Sequence, residues 1–225
     1  MGLSVRIIPV LLRRGNSLVK GRRFESWRSV GHPLQAARIH ASRGVDELMI
    51  LDLGSESPDH KMIDMLTQDS FTPITVGGGI KSISDIQNLL RAGADKVCVK
   101  SKQVIKESSV VFGKQAICAS LEVRDQDAVA EAKQLEEIGA GEILLQSVER
   151  DGMMEGYDID LVRNVSHAVN IPIIASCGCG TYEHMLEAIH AGASAVAAGA
   201  MFQFTENTPL GAAKYLAEHG IESRV

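Results

Sequence analysis

Aromatic residues and dense positive charge are both scarce in this sequence. Of its 225 residues, 4% are aromatic, and the net charge is −5 with no block of consecutive Lys and Arg residues. No apolar run approaches the roughly 20 residues that a membrane-spanning helix needs. These absences argue against a membrane protein and against a nucleic-acid-binding protein, which needs a basic face to neutralise phosphates. We therefore expect a cytoplasmic globular protein that binds neither nucleic acid nor membrane.

Cysteine is also too sparse for a framework of disulfides, with four residues in the whole chain. Cys177 and Cys179 are separated by a single residue, and no second pair follows at the spacing of a zinc site. The glycines around them are typical of a tight turn. The sequence therefore predicts no metal site, and no motif in it calls for a cofactor.

What the chain does have is a regular alternation of strand-like and helix-like segments. The strand-like segments are apolar almost throughout, which is the pattern of parallel strands covered on both faces. Amphipathic stretches at helical spacing lie between them. Their apolar stripes are Leu34, Ala37, Ile39; Ile83, Ile86, Leu89, Leu90; Ala128, Ala132, Leu135, Ile138; and Met185, Leu186, Ile189. We predict eight strands, at Arg6–Leu12, Glu47–Asp52, Pro73–Gly77, Lys96–Lys100, Ala116–Glu122, Glu142–Ser147, Ile171–Ser176 and Ala193–Ala198.

The two halves of the sequence resemble each other. The segment 73–79 (PITVGGG) matches 172–178 (PIIASCG), and Ala92-Gly93-Ala94 matches Ala191-Gly192-Ala193 at the same spacing. A duplicated half of four strand–helix units predicts an α/β fold, a (β/α)8 TIM barrel with internal half-barrel duplication. A doubly wound open sheet is the alternative, but it leaves the duplication unexplained. No linker divides the chain, so we expect one domain over residues 1–225.

Two glycine-rich turns follow equivalent strands of this predicted barrel. They contain Gly79 and Gly178, and each leads into a helix whose free backbone N–H groups could receive a phosphate. After the last strand, Gly199 and Ala200 fit the short extra helix that often completes a phosphate site in such barrels. Tight turns alone would also explain the glycines. A paired set favours a phosphorylated small-molecule ligand with a phosphate at each end.

Nine short stretches run in order along nearly the whole chain: 6–9 (RIIP), 18–21 (LVKG), 46–48 (DEL), 75–80 (TVGGGI), 93–97 (GADKV), 139–145 (GAGEILL), 150–152 (RDG), 156–158 (GYD) and 172–176 (PIIAS). Together they resemble the family of the cyclase subunit of imidazole glycerol phosphate synthase. The resemblance implies a barrel that receives ammonia from a glutaminase subunit at the amino-terminal face of its strands. It also implies that ammonia attacks a bis-phosphorylated ribulosyl aminoimidazole carboxamide and that ring closure gives imidazole glycerol phosphate.

The sequence departs from the family pattern where the resemblance places catalysis. Leu12 stands where the family has a catalytic Asp, and Glu122 replaces the opposed catalytic Asp. Glu122 is thus the expected surviving acid or base, while leucine transfers no proton. Lys100-Ser101 stands in place of the phosphate-binding Asn-Thr, and Ala200 in place of a Ser. The loop after the fifth strand is also shorter than is usual in the family.

Other positions keep the family's residue types. Lys20 matches a lysine of the first loop, and Asp151 and Gly152 match a substrate-contacting stretch. The resemblance also implies a charged ring that gates the entry of ammonia at the amino-terminal mouth. A ring of structural ion pairs is the simpler alternative. Small apolar side chains such as Val10, Ile50 and Val97 are expected to line a passage beyond the ring, whose four members are Arg6, Glu47, Lys96 and Glu142.

A retained ring beside an altered active site resembles a paralogous branch with Leu-Leu after the first-strand proline. Members of that branch work with a glutaminase and a sugar amidotransferase to make acetamidino sugars for surface polysaccharides. Phe24, Trp27, Gly31 and Pro33 fit the mobile first loop of this branch. Three functions stay open at this point: an ammonia-conducting barrel with little turnover, a genuine cyclase, and an isomerase acting on a related aminoaldose. Leu12 counts against both enzymes.

Overall fold

Eight parallel strands close into a barrel in the computed structural model, which describes residues 4–68 and 72–223. Each strand pairs with its neighbours along the chain, and the last pairs with the first, with Arg6 opposite Ala195. This closure confirms the predicted (β/α)8 barrel and excludes the open sheet. The barrel strands are β1 (Arg6–Arg14), β4 (Leu48–Asp52), β5 (Ile74–Gly77), β6 (Lys96–Val99), β7 (Ile117–Val123), β8 (Glu142–Ser147), β9 (Ile173–Ser176) and β10 (Ala195–Ala198).

Helices cover the outside of the barrel, and side-chain caps fix where several of them begin. Ser82 accepts a hydrogen bond from the backbone N–H of Asp85, and Thr181 does the same for His184 at the equivalent place in the second half. No helix in the described ranges is long and apolar enough to cross a membrane. The helices are α1 (Pro33–Ser42), α2 (His60–Thr67), α3 (Ile83–Arg91), α4 (Lys102–Phe112), α5 (Ala128–Glu137), α6 (Ile159–Ser166), α7 (Tyr182–His190), α8 (Ala200–Phe204) and α9 (Pro209–Glu218).

One prediction within the helices is wrong. Ile39, which we placed in the apolar stripe of α1, is 50% exposed, while Ala37 is buried. The reason is geometric, because two residues further along an α-helix lie about 200° around its axis. The buried face of α1 is instead continued by His40, three residues after Ala37.

The first loop contains a hairpin that the sequence did not predict. Strands β2 (Ser17–Arg22) and β3 (Glu25–Gly31) pair antiparallel, and β2 also pairs with the end of β1. The hairpin turn places Arg23 and Phe24 in the left-handed region, with φ of 52° and 61°. The segment that the resemblance assigns to the first loop therefore forms β structure at the carboxyl end of the barrel.

Alternation along each strand divides the core into two layers. Ile8, Val10, Met49 and Cys98 belong to the cluster inside the barrel. The expected passage residues Ile50 and Val97 belong instead to the cluster between strands and helices, so that part of the prediction is wrong. Adjacent residues of a strand face opposite sides, and the interior positions are therefore their neighbours in the sequence.

The two halves of the barrel repeat each other in atomic detail. The Thr67 hydroxyl donates to the backbone oxygen of Ala92 at 2.8 Å, and the Ser166 hydroxyl donates to that of Ala191 at 3.0 Å. Both pairs lie at equivalent positions of the sequence repeat. The same hydroxyl-to-carbonyl bond thus ties a helix end to the next helix end in each half.

Candidate functional site

The carboxyl ends of the strands surround a cavity of about 290 Å³. One part of its wall is apolar and includes Leu12 with Phe24 and Trp27 of the hairpin. Another part is polar and includes Lys100 and Glu122. Such a volume, with apolar walls and a few polar groups, is at the small end of the range for ligand pockets. Leu12 and Glu122, which occupy the two positions where the resemblance places catalytic residues, therefore line the same cavity.

The polar part of this cavity is an ion pair. The Lys100 ammonium lies 2.7 Å from a carboxylate oxygen of Glu122, which joins the end of β6 to β7. Ser101, the other predicted phosphate ligand here, has its side chain at the start of α4, where it accepts from the backbone N–H of Val104. Lys100 occupies a predicted phosphate-binding position, as does Gly79. Both residues line the cavity, but the charge of Lys100 is matched by Glu122.

The glycine turn after β5 is required by close backbone packing. A Cβ atom on Gly78 would lie 2.1 Å from the backbone oxygen of Asp52, and φ of Gly78 is 105°. Gly79 has φ of 67°, which L-residues with side chains adopt only at a cost. The glycines thus bring bare backbone to the cavity wall, and packing alone already explains why they are glycines.

The equivalent turn after β9 differs at one position. Cys177 occupies the place of Gly78 in the repeat and keeps a left-handed φ of 75°. Burial raises the pKa of the Cys177 thiol far above its usual value. Gly178, which follows, packs against the backbone of Gly156, where an added Cβ would lie 2.1 Å from its oxygen.

Lys20 fills the space beside this second turn. Its side chain reaches from the hairpin to Gly199, where an added Cβ would lie 2.0 Å from the ammonium nitrogen. Within the described residues, its one hydrogen bond is a long one, 3.5 Å to the backbone oxygen of Val10. Burial lowers the pKa of Lys20 to about 8, although Asp151 acts in the opposite direction. The cavity that Lys20 shares with Gly178, Gly199 and Ala200 holds about 40 Å³.

Asp151 and Gly152 hold the hairpin against the barrel. The backbone N–H of Phe24 donates to the Asp151 carboxylate at 3.2 Å, and that of Arg23 donates to its backbone oxygen at 3.0 Å. Gly152 lies so close to Gly21 that an added Cβ would lie 2.2 Å from the backbone oxygen. Burial raises the pKa of Asp151, and Lys20 partly offsets this effect.

At the opposite end of the barrel, the four predicted charges converge. Arg6 lies 2.5 Å from Glu47 and 2.7 Å from Glu142, and Lys96 lies 3.2 Å and 2.9 Å from the same two carboxylates. We call these four residues the charged ring. Its carboxylates are 3% and 7% exposed, whereas its cations are 26% and 24% exposed. The ring therefore has its negative charge on the inside and its positive charge toward the mouth.

The pKa shifts in the charged ring follow from this pairing. Burial alone would raise the pKa of Glu47, but Lys96 and Arg6 outweigh it and hold the pKa below its usual value. Burial would likewise lower the pKa of Arg6, but Glu142 and Glu47 raise it. The neighbours of Glu47 and Arg6 in the ring therefore favour the charged form of each of these two groups.

The structure adds residues that the sequence reasoning missed. The Thr75 hydroxyl donates to the other oxygen of Glu47 at 2.6 Å, so this buried carboxylate has three partners. Gln146 accepts from the Ser120 hydroxyl at 2.9 Å on the floor of the cavity. Residues two or four apart on a strand face the same side of the sheet. Because Gln146 follows Glu142 by four residues, the sequence could have indicated that Gln146 also faces inward. Among the described residues, no group of three or more His, Cys, Asp or Glu side chains is arranged to hold a metal ion.

Comparison with known proteins relates these features to a family. The family described as "Histidine biosynthesis protein" matches residues 6–208. The chain is also similar to the imidazole glycerol phosphate synthase subunit HisF of Thermobifida fusca (strain YX). The two are 39% identical over 240 aligned residues, which cover 92% of this chain and 94% of the relative. The family match therefore spans all eight barrel strands, including the charged ring and the residues that line the cavity at the other end.

Proposed function

Because the chain belongs to the histidine biosynthesis protein family, we propose that it is a cyclase-like barrel that receives ammonia from a glutaminase subunit. We further propose that it relays this ammonia to a sugar amidotransferase and has little cyclase turnover of its own. The glutaminase would dock at the amino-terminal face, around the charged ring. We also propose that the chain and the glutaminase are both cytoplasmic.

The charged ring is the observation that carries this proposal. Four ion pairs close the amino-terminal mouth in one layer, with Thr75 as an additional donor. Beyond the ring, the interior is lined by apolar and thiol side chains such as Met49, Cys98 and Cys118. Ammonia is small and neutral, so an apolar interior accepts it more readily than it accepts ions. The paired charges would exclude bulk water until a docked partner rearranges them.

The opposite end of the barrel supports low cyclase turnover. General acid–base catalysis on the family's substrate needs two facing carboxylates. Leu12 offers none, and Glu122 is engaged with Lys100 at 2.7 Å. The related aminoaldose isomerase chemistry would meet the same obstacle at Leu12.

A genuine cyclase of histidine biosynthesis is the second candidate, and the retained cavity favours it. Glu122 would act as the acid or base, and Asp151 would contact the substrate. The phosphates at the two ends of the substrate would bind near Gly79 on one side and near Gly178 and Gly199 on the other. Lys20, with its pKa of about 8, would provide positive charge at the second phosphate.

A turnover assay separates the two candidates. The purified chain is mixed with an ammonium salt and the bis-phosphorylated aminoimidazole carboxamide ribulotide, and the loss of substrate absorbance is followed. We expect turnover at least 100-fold below that of the relative from Thermobifida fusca, since a positioned acid or base typically contributes about 10²–10⁴-fold. Leu12→Asp should restore a measurable part of it. Turnover equal to that of the relative would contradict an ammonia-conducting barrel with little turnover of its own and would support a genuine cyclase.

The conduction of ammonia through the barrel is tested with the glutaminase present. Arg6→Ala and Lys96→Ala should uncouple glutamine hydrolysis from the delivery of ammonia, because each removes two ion pairs of the charged ring. Arg163→Ala removes an exposed pair on α6 and is the matched control. The quantity compared is the ammonia delivered per glutamine hydrolysed. If this ratio is the same in the variant that carries both Arg6→Ala and Lys96→Ala as in the control, the proposal is contradicted.

A further inference from the structure

Two cysteine thiols lie opposite each other inside the barrel. Cys98 on β6 and Cys118 on β7 are direct register partners, and both belong to the cluster of side chains inside the barrel. Both are free thiols. Neighbouring strands lie about 4.7–4.9 Å apart, which is within the Cα separation of about 4.4–6.8 Å that a disulfide spans. We call Cys98 and Cys118 the thiol pair, and the spacing of their strands permits a disulfide between them.

The thiol pair lies next to the charged ring. Cys118 is the register partner of Glu142, and Cys98 follows Lys96 by two residues on the same strand. Residues two apart on a strand face the same side, so Cys98 points into the barrel as Lys96 does. The thiol pair therefore lies between the charged ring and the cavity at the carboxyl end.

The two thiols differ in their access to that cavity. Cys98 is 5% exposed and lines the cavity of about 290 Å³, whereas Cys118 is fully buried and does not line it. On the other side of Cys98, its register partner is Gly77, which has no side chain and also lines the cavity. Hydrogen peroxide is little larger than a water molecule, which occupies about 30 Å³ in the liquid, so the cavity has room for it beside Cys98. A small oxidant that enters from the carboxyl end therefore meets Cys98 first.

Cys118 has the properties of a resolving thiol, which reacts only after its partner has been oxidised. A hydrogen bond with Cys98 raises the pKa of the Cys118 thiol well above its usual value, and burial acts in the same direction. The carboxylates of Glu142 and Glu47 raise it further. Because the thiolate is the nucleophile, Cys118 does not attack free peroxide readily. Its place opposite Cys98 suits it instead to attack an oxidised sulfur there.

The other two cysteines have separate neighbours. Cys177 and Cys179 lie in the turn after β9, with one residue between them. The Cys179 thiol donates to the sulfur of Met201 at 3.4 Å, whereas the Cys177 sulfur lies 3.9 Å from the Ser176 hydroxyl. Burial raises the pKa of both thiols. Neither faces another cysteine across a strand pair, so both serve as internal controls.

We propose that a hydroperoxide oxidises the thiol pair to an internal disulfide that joins β6 to β7. With hydrogen peroxide, the Cys98 thiolate attacks one oxygen, so an S–O bond forms as the O–O bond breaks, and the proton from Cys98 leaves with the other oxygen as water. Cys118 then attacks the sulfenic acid of Cys98, so an S–S bond forms as the S–O bond breaks, and the proton from Cys118 leaves in a second water. Two thiols are oxidised, and one peroxide is reduced to two waters. This modification goes beyond the proposed function, since it requires neither ammonia nor a glutaminase.

Peptide mapping of the full chain after treatment with hydrogen peroxide tests the proposal. The remaining thiols are blocked with iodoacetamide, and the chain is digested with trypsin without a reductant. Cleavage after Lys and Arg places Cys98 in the peptide 97–100 and Cys118 in 115–124, with Cys177 and Cys179 together in 164–214. We expect mass spectrometry to find 97–100 joined to 115–124, with two hydrogens fewer than the two separate peptides. Dithiothreitol should separate them again.

Serine variants test the two roles. Cys118→Ser should stop the reaction at the sulfenic acid of Cys98, which dimedone labels, because the resolving thiol is absent. Cys98→Ser should leave Cys118 reduced, because Cys118 does not line the cavity. Cys177→Ser removes a buried thiol outside the thiol pair and is the matched control, in which the joined peptide should form as in the unaltered chain. The unaltered chain tests the disulfide even where a variant fails to fold.

The same treatment of the chain unfolded in urea shows what the fold contributes. Random pairings among the four cysteines in urea, but only the pairing of Cys98 with Cys118 in the folded chain, would support the proposal. The same mixture in both states, a disulfide within 164–214 instead, or no joined peptide in the folded chain would each overturn it. Oxidation of Cys118 in Cys98→Ser as fast as in the unaltered chain would also overturn it. The ammonia experiment is carried out on the reduced chain, so either proposal can fail alone.

Discussion

The charged ring and Lys20, at opposite ends of this barrel, differ in how their positive charge is paired. At the amino-terminal mouth, Arg6 and Lys96 each contact both buried carboxylates. At the carboxyl-terminal mouth, Lys20 is buried with one weak hydrogen bond to the described residues, and Asp151 acts on its charge without lying at ion-pair distance. The comparison teaches that cations with close carboxylate partners stabilise the barrel itself. A buried cation with few partners retains N–H donors that a ligand can use.

Removing one carboxylate of the charged ring should have the largest effect on stability. Glu47→Gln leaves Arg6 and Lys96 sharing one carboxylate, and breaking a buried ion pair costs about 3 kcal/mol or more. Urea denaturation at pH 7 measures this loss. Asp160→Asn, in an exposed pair with Arg163, is the matched control. An equal loss in both variants would show that the ring is no different from a surface pair.

The pH dependence of that loss has a defined sign. The pKa of Glu47 is below its usual 4.5 in the folded state, so the unfolded state binds the proton more readily. Its contribution is fully present above pH 4.5 and is lost as the pH falls through the folded pKa. The stability difference between Glu47→Gln and the unaltered chain should therefore shrink below pH 4.5. A difference that is constant from pH 7 to pH 3 would contradict this prediction.

Lys20 should produce a pH dependence of its own at alkaline pH. Its pKa is about 8 in the folded chain, against an ordinary lysine value of 10.5, so the unfolded state holds more protons between these values, and stability rises with pH there. Lys20→Met should lack this rise. The stability difference between variant and unaltered chain should change by about 2 kcal/mol from pH 8 to pH 10.5, measured by urea denaturation. Lys61→Met, on the exposed side of α2, should show no such change.

Thr75→Val should have a smaller effect at the charged ring. It removes one donor to Glu47 but leaves both cations in place, and a hydrogen bond to a charged group contributes about 1.5 kcal/mol. Because that bond favours the ionised form, the pKa of Glu47 should also move toward its usual value. Thermal unfolding at pH 7 and pH 4 measures both effects. Thr75→Ser, which keeps the hydroxyl, is the control, and a similar loss in Ser and Val would assign the effect to packing.

The smallest expected effect is at the surface pair used as a control. Arg163 and Asp160 are 2.7 Å apart, but their side chains are 48% and 87% exposed. Water and salt screen such a pair, so Asp160→Asn should cost less than about 0.5 kcal/mol. A loss approaching that of Glu47→Gln would mean that burial does not explain the strength of the charged ring.

Much of the fold was predictable because the barrel strands are apolar runs with sharp ends. The same feature limits the prediction of side-chain direction. In a strand such as Leu48–Asp52, both faces are buried, so polarity does not tell whether Met49 or Ile50 faces inward. The hairpin was missed for the opposite reason. Strand β3 is largely exposed, and its sequence ESWRSVG has no apolar alternation that would predict a strand.

The candidate site was predictable as a set of residues but not as a set of pairings. The charged ring was implied by the family resemblance, and its four members converge because parallel strands begin at one face. The pairing of Lys100 with Glu122 depends on the reach of two flexible side chains between neighbouring strands. The position of Lys20 beside the turn after β9 depends on a hairpin whose strands the sequence did not reveal.

The paired bonds of Thr67 and Ser166 show which positions of the barrel are alike in its two halves. Each ties the end of one helix to the end of the next in its own half, and the residue is a Thr in one half and a Ser in the other. At the turns facing the ligand cavities the halves differ, with Gly78 in the first and Cys177 in the second. The contacts that hold helices together are thus common to both halves, whereas the chemistry at the cavities is particular to each half.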